Sequence, residues 1–221
     1  NSPPIRNGKE NAMISILSRT AKAMLFAVAA GLAIPALAQE TTPAAAPVVE
    51  DFTLGSADAK VKLVEYASFT CPHCADFHAQ NFDKLKAEYI DTGKVQFTLR
   101  EVYFDRYGLW AAMVARCGGD MKYFFIHDVL FETQRDWAGS DDPTVVVGNL
   151  KKIARAAGME DTAVDACLKD TAMAEAMVAR FNANMEADGV EGTPTIFING
   201  TKHSNMPYDE LKGLIDAELA K

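Results

Sequence analysis

Two cysteines separated by two residues are the part of the sequence whose spacing could do chemistry. Cys71 and Cys74 enclose Pro72 and His73, after an apolar run and before a helical pattern. The same spacing occurs in zinc ribbons, haem attachment sites and redox-active dithiols, so the context must distinguish them. A structural zinc site needs four ligands, and the sequence has no second closely spaced cysteine or histidine pair. We therefore interpret Cys71 and Cys74 as a redox pair and not as part of a metal site.

The predicted start of a helix at this pair favours the ionised form of the first cysteine. The Cys71 sulfur would lie beside backbone N–H groups without intrahelical partners, at the positive end of the helix dipole. Pro72 suits the first turn because its missing N–H would have no partner there, and His73 adds a donor or a positive charge. About 1.4 kcal/mol of selective thiolate stabilisation lowers the thiol pKa by one unit and makes the disulfide more oxidising by about 30 mV. Cys74, one turn further in, would be the resolving thiol.

The elements around this pair predict a strand, a helix and a second strand. Residues 61–67 form an apolar run typical of a buried strand, and residues 74–90 carry apolar side chains at helical spacing. A further strand is predicted over residues 95–102. This order favours a right-handed βαβ unit with parallel strands.

The remainder of the chain predicts a long helical insertion followed by a hairpin and a helix. Helical patterning fills residues 107–189, strand signal returns at residues 195–198, and Asn199-Gly200 marks a turn. The order resembles an α/β thioredoxin-like fold interrupted by an all-helical subdomain. Residues 49–106 and 190–221 would be the two parts of the thioredoxin-like domain.

The first 48 residues predict export. Residues 13–38 have the positive start, the apolar stretch and the small-residue cleavage site of a signal peptide. We interpret residues 1–12 as an upstream extension or expression remnant, and residues 39–48 as a flexible leader. Cleavage would remove four basic residues and one acidic residue, which takes the net charge from −8 to −11. Such an acidic protein, without a later membrane-spanning run, is expected to be soluble and not to bind nucleic acid.

Two segments resemble the DsbA family of bacterial thiol-disulfide oxidoreductases. These are residues 63–74, LVEYASFTCPHC, and residues 192–200, GTPTIFING. The resemblance includes the helical insertion and extends from about Phe52 to the C-terminus. It implies that Pro194 is cis and faces the redox turn, and that Thr193 presents its backbone to a bound substrate strand.

The resemblance also gives a role to an acid in the first predicted strand. Glu65 would be a buried carboxyl beneath the disulfide that moves a proton during exchange. His78, in the following helix, occupies a position where well-known relatives carry an acid.

Two further cysteines lie in the predicted helical insertion. Cys117 and Cys167 could form a structural disulfide, for which the chain-entropy argument gives roughly 4 kcal/mol of stabilisation. Two separate buried thiols are the alternative, since free cysteine packs as a small hydrophobic residue.

The expected activity follows from the resemblance. A monomeric periplasmic enzyme would donate its Cys71–Cys74 disulfide to cysteine pairs of newly exported proteins. A membrane quinone-linked oxidase of the DsbB type would reoxidise it, and no bound cofactor would be needed. Two alternatives stay open. One is an isomerase or reductase of the same fold, because Thr193 is a family variation. The other is a copper- or metal-binding chaperone that uses the same cysteines and His73.

Overall fold

A five-stranded mixed sheet forms the centre of residues 46–221, which a computed structural model describes. Across the sheet the strand order is β1-β3-β2-β4-β5. Strands β2 and β3 run parallel, and the other neighbouring strands pair antiparallel. The strands are β1 (Thr53–Leu54), β2 (Val61–Ala67), β3 (Val95–Glu101), β4 (Thr195–Ile198) and β5 (Thr201–Ser204).

The predicted βαβ unit is confirmed. Strand β2 coincides with the predicted apolar run, and β3 ends one residue before the predicted end. Both lie in the middle of the sheet and are mostly buried, as expected for parallel strands covered on both faces. The two-residue edge strand β1 was not predicted, because it is too short to show an alternating pattern.

Between β2 and β3 the chain is helical from residue 72 to residue 90, but not as one regular α-helix. Two α-helical segments, α1 (Pro72–Phe77) and α2 (Asp83–Leu85), alternate with two π-helical segments, His78–Phe82 and Lys86–Ile90. The apolar spacing predicts a uniform amphipathic helix here, and in this respect the structure differs. Buried polar side chains, His78 and Asn81, lie in the first π-helical segment.

Six helices lie between β3 and β4 in sequence, and one follows β5. Aspartate side chains accept hydrogen bonds from backbone N–H groups at the start of three of these helices and so define where they begin. The helices are α3 (Arg106–Cys117), α4 (Asp120–Glu132), α5 (Gln134–Ala138), α6 (Pro143–Ala156), α7 (Asp161–Leu168), α8 (Thr171–Ala187) and α9 (Tyr208–Leu219).

The predicted extension 1–12, signal peptide 13–38 and most of the leader 39–48 lie outside the described residues. Among residues 46–221, none of the helices combines the length and the apolar character needed to cross a bilayer.

A disulfide connects two of the helices that lie between β3 and β4 in sequence. Cys117 at the end of α3 is bonded to Cys167 in α7, 50 positions further along the chain. The remaining cysteines of the described chain, Cys71 and Cys74, are free thiols.

Replacing Cys117 and Cys167 by alanine should lower the free energy of unfolding by about 4 kcal/mol, because the bridge restricts the unfolded chain. Urea denaturation under oxidising conditions measures this difference. In excess reductant, which opens the bridge in the wild type, the two proteins should differ by less than about 1 kcal/mol. Equal urea midpoints under oxidising conditions would contradict the prediction.

Candidate active site

The two free cysteines lie at the start of the helical run that follows β2. Cys71 is the N-cap residue of α1, with an extended backbone conformation, and Pro72 occupies the first helical position. Cys71 is half-buried, whereas the side chain of Cys74 is fully buried. One sulfur is therefore accessible to a large partner and the other is not.

Hydrogen bonds hold Cys71 in its ionised form. The Cys74 thiol is the main donor, and together with the Thr193 side chain and the backbone N–H groups of Cys74 and His73 it lowers the pKa of Cys71 from 9.0 to about 5, against the opposing effect of burial. The backbone N–H groups at the helix start lower the pKa of Cys71, and the thiol of Cys74 lowers it more. The imidazole of His73 is exposed, and its backbone N–H is the group that acts on the sulfur.

The same interactions have the opposite effect on the second cysteine. The hydrogen bond to Cys71, burial and the nearby Glu65 carboxyl all raise the pKa of Cys74 far above its ordinary value. The reduced centre therefore contains one thiolate and one thiol at neutral pH, and the thiol is the inner one.

The loop before β4 faces the redox turn. Its Thr193–Pro194 peptide bond is cis, and the carbonyl oxygen of Thr193 lies 3.7 Å from Cys71 Sγ. Cys71 donates to this oxygen when it is a thiol. When Cys71 is ionised, the buried Thr193 hydroxyl can donate to the sulfur instead, since it has no other hydrogen-bond partner within residues 46–221.

Gln134 in α5 positions the redox turn, and the sequence did not point to it. Its side-chain amide is buried and donates to the carbonyl oxygens of Phe69, at 2.9 Å, and Cys71, at 3.0 Å. The contact joins segments that are 63 to 65 residues apart, so no local sequence pattern predicts it.

The start of α3 positions the same turn from another direction. Thr70 Oγ1 donates to Asp105 Oδ2 at 2.6 Å, and Asp105 Oδ1 caps α3 by accepting from two backbone N–H groups. Gly108 allows this close approach, because an added Cβ would lie 3.2 Å from the Ser68 and Thr70 hydroxyl oxygens.

Glu65 lies in β2, six residues before Cys71, and is fully buried. Burial raises its pKa to about 8, with a smaller opposing effect from His127. Its Oε2 lies 3.0 Å from His78 Nε2. Burial also lowers the pKa of His78 to about 3, so at neutral pH both groups are uncharged and the contact is a hydrogen bond rather than an ion pair.

The described residues contain no group of three or more histidine, cysteine or acidic side chains arranged to hold a metal ion. The geometry instead gives a half-exposed thiolate above a buried thiol, which suits thiol-disulfide exchange.

A parallel βαβ unit with two cysteines at its helix start, facing a cis-proline loop, defines the class of dithiol proteins with the thioredoxin fold. Residues 48–217 match the family model described as Thioredoxin, and the chain belongs to that family.

Curated relatives carry names from disulfide chemistry. A protein of Rickettsia bellii, provisionally named protein-disulfide oxidoreductase, is 35% identical over 170 residues, which are 76% of this chain and 64% of the relative. Disulfide bond formation protein D of Bacillus subtilis is 27% identical over 176 residues, which are 75% of this chain and 76% of that protein. The chain spans only 60–64% of the length of five Rickettsia relatives.

Solved structures show the same fold. The crystal structure of Wolbachia pipientis α-DsbA1 is 28% identical, with a TM-score of 0.72 over 79% of this chain and 93% of the other. Oxidised BdbD of Bacillus subtilis is 26% identical, with a TM-score of 0.69 over 77% and 94%. The predicted thioredoxin-like fold with a helical insertion, and the resemblance to DsbA proteins, are confirmed.

Replacing Gln134 by methionine should lower the free energy of unfolding by about 1–3 kcal/mol, because the buried Phe69 carbonyl oxygen loses this partner. Urea denaturation of the reduced protein measures the change. The exposed Gln80, when replaced by methionine, is the matched control and should change it by less than about 0.5 kcal/mol. Equal effects of the two substitutions would show that Gln134 does not position the turn.

The reactivity of Cys71 should titrate in the acid range. The rate of iodoacetamide alkylation of the reduced protein should be half-maximal near pH 5, because only the thiolate reacts. A Cys74→Ala variant removes the main hydrogen-bond donor and should move the midpoint toward 9.0. A midpoint near 9 in the wild type would contradict the assignment.

The same titration predicts how the stability of the reduced protein depends on pH. The pKa of Cys71 is lower in the folded than in the unfolded state, so its stabilisation is fully present above about pH 9 and is lost as the pH falls to about 5. Urea midpoints of the reduced protein, corrected by those of a Cys71→Ala variant, should therefore rise between pH 5 and pH 9. A flat or falling difference would contradict the prediction.

Proposed function

We propose that the protein is a thiol-disulfide oxidoreductase that donates its Cys71–Cys74 disulfide to cysteine pairs of newly exported proteins. The observation that carries this proposal is the unequal ionisation of the two thiols in the reduced centre. Only the reduced state has a thiolate to stabilise, so this stabilisation favours the dithiol and makes the disulfide a good oxidant.

The reaction would proceed through a mixed disulfide at the accessible sulfur. A substrate thiolate attacks Cys71 Sγ, the Cys71–Cys74 bond breaks, and Cys74 leaves as a thiolate that takes up a proton. The second substrate thiolate then attacks the substrate sulfur of the mixed disulfide, which releases the oxidised substrate and the Cys71 thiolate. The low pKa of Cys71 makes it a good leaving group in this second step.

Substrate would bind along the loop before β4. The Thr193 backbone lies beside Cys71 Sγ, so an extended peptide that pairs with this loop would bring its own sulfur to the accessible cysteine. In this proposal Pro194, Glu65 and Pro72 would have the supporting roles expected from the sequence, and His73 would act on Cys71 through its backbone N–H. Cys117–Cys167 lies outside this redox turn and would be structural.

The proposed setting is the periplasm, where newly exported chains carry unpaired cysteines. The predicted signal peptide and the names of the relatives in disulfide chemistry support this location. A membrane quinone-linked oxidase of the DsbB type would reoxidise the dithiol, and the protein would act as a monomer.

The equilibrium of the redox centre with glutathione tests the proposal. In a variant with Cys117 and Cys167 replaced by alanine, the reduction potential should be well above the value of about −270 mV that is typical of thioredoxin. The oxidised wild type should also convert a reduced two-cysteine peptide to its disulfide stoichiometrically.

Two results would overturn this assignment. A potential near that of thioredoxin would indicate a reductase. Failure to oxidise the peptide, with efficient rearrangement of a scrambled disulfide by the reduced protein, would indicate an isomerase. A Cys74→Ala variant is the control, because it keeps the Cys71 thiol and lacks the disulfide that is donated.

A further inference from the structure

A buried hydrogen bond connects the region below the redox turn to a cavity on the helical side. Glu65 Oε2 contacts His78 Nε2 at 3.0 Å, and Glu65 is close enough to Cys74 to raise the pKa of that thiol when the carboxyl is ionised. The other carboxyl oxygen, Glu65 Oε1, is buried and has no hydrogen-bond partner within residues 46–221. A buried carboxyl with one free oxygen is in a suitable state to exchange a proton.

His78 is the member of this pair that reaches solvent. It is 6% exposed and lines a cavity of about 360 Å³, which Pro72 of the redox turn also lines. Glu65, by contrast, is 0% exposed. Any proton that Glu65 exchanges with water through its bonded oxygen therefore passes through the imidazole.

One proton lies between the two groups at neutral pH. Since burial keeps both uncharged, the Glu65 hydroxyl donates to His78 Nε2, and the imidazole carries its own proton on Nδ1. This arrangement holds for the structure described here, in which Cys71 and Cys74 are free thiols.

The charged and titratable groups around His78 leave its imidazole uncharged at neutral pH. Asp83 and Asp128 favour a charged imidazole, but burial outweighs them. The ring of His127 is 4.7 Å away between centroids, is fully buried, and bonds through Nδ1 to Asp128 Oδ1 at 2.7 Å. Burial lowers the pKa of His127 as well, so neither imidazole is charged at neutral pH. The other acidic residues that line the cavity are Asp76, Glu132 and Asp136.

We propose that His78 carries a proton between Glu65 and the water of this cavity whenever the redox centre changes state, so that its tautomer differs between the reduced and oxidised proteins. This inference rests on the proposed function, since it requires Cys71 and Cys74 to cycle. His78 is thus a positioning and proton-transfer residue that acts through Glu65.

When an external disulfide oxidises the dithiol, a proton leaves Cys74 and one is released to water through Glu65 and His78. The Cys71 thiolate attacks that disulfide and releases one partner thiolate. Cys74 passes its proton to Glu65 Oε1, Glu65 passes the proton on Oε2 to His78 Nε2, and His78 releases the proton on Nδ1 to water. The Cys74 thiolate then attacks Cys71 Sγ and releases the second partner thiolate. The partner disulfide has gained two electrons, and the enzyme dithiol has lost them.

The reverse sequence accompanies oxidation of a substrate. Cys74 leaves as a thiolate and takes the proton from Glu65 Oε1, Glu65 Oε2 takes one from His78 Nε2, and His78 Nδ1 takes one from water. The oxidised protein therefore has its imidazole proton on Nε2, and the reduced protein has it on Nδ1.

Nitrogen-15 NMR of the histidine-labelled protein tests this difference directly, without any substitution in the site. At pH 7, His78 should be the Nδ1–H tautomer in the reduced protein and the Nε2–H tautomer in the oxidised protein, with signals assigned by comparison with a His78→Gln variant. His127, which has a different partner, should keep one tautomer. The same His78 tautomer in both states, or a charged imidazole in either, would overturn the proposal.

Kinetics separate this inference from the proposed function. His78→Gln should slow reoxidation of the dithiol by at least about tenfold, because glutamine can bond to Glu65 but cannot relay a proton. The alkylation midpoint of Cys71 should stay near that of the wild type, and His203→Gln, a control at a histidine of β5 that does not line this cavity, should reoxidise normally. An active wild type with an equally fast His78→Gln variant contradicts the relay alone, whereas a wild type unable to oxidise peptide contradicts the proposed function.

Discussion

The hydrogen bond between the two sulfur atoms of the redox turn is the interaction on which the rest of the site depends. Cys74 keeps its proton because it is hydrogen-bonded to Cys71 and is fully buried, and by keeping it remains a donor. Cys71, three residues earlier and half-buried, receives that bond and ionises easily. This hydrogen bond, together with the difference in burial across a single turn of helix, separates two chemically identical groups into a thiolate and a thiol.

The two thiols ionise differently only while the redox turn keeps this conformation. Three segments remote in sequence contact it: α5 through Gln134, the start of α3 through Asp105, and the cis-proline loop through Thr193. The sheet supplies the fourth constraint, because β2 leads directly into the turn and pairs with both β3 and β4. The helical region therefore takes part in forming the site as well as in covering the sheet.

Much of this arrangement was predictable because its signals are local. The apolar run of β2, the cysteine spacing, the turn at Asn199-Gly200 and the later helix each have a pattern within a few residues. The burial of Glu65 was expected from the apolar strand around it and from family resemblance. The Gln134 contact, the Asp105 contact and the Glu65–His78 bond were not predictable, because each depends on which distant segments the fold brings together. The Cys117–Cys167 bond is similar, since spacing alone allowed two free thiols.

The distance along the chain between the redox turn and its supports has a consequence for biosynthesis. Gln134 follows Cys71 by 63 positions and Thr193 follows it by 122, so a chain that emerges N-terminus first exposes both cysteines before the residues that hold the redox turn in place. In a chain that still lacks these supports, we expect the two thiols to ionise and react as ordinary peptide cysteines do. The high nucleophilic reactivity of Cys71 should therefore appear only once the loop before β4 lies against the redox turn, which would limit cross-reaction between an incomplete chain and its neighbours.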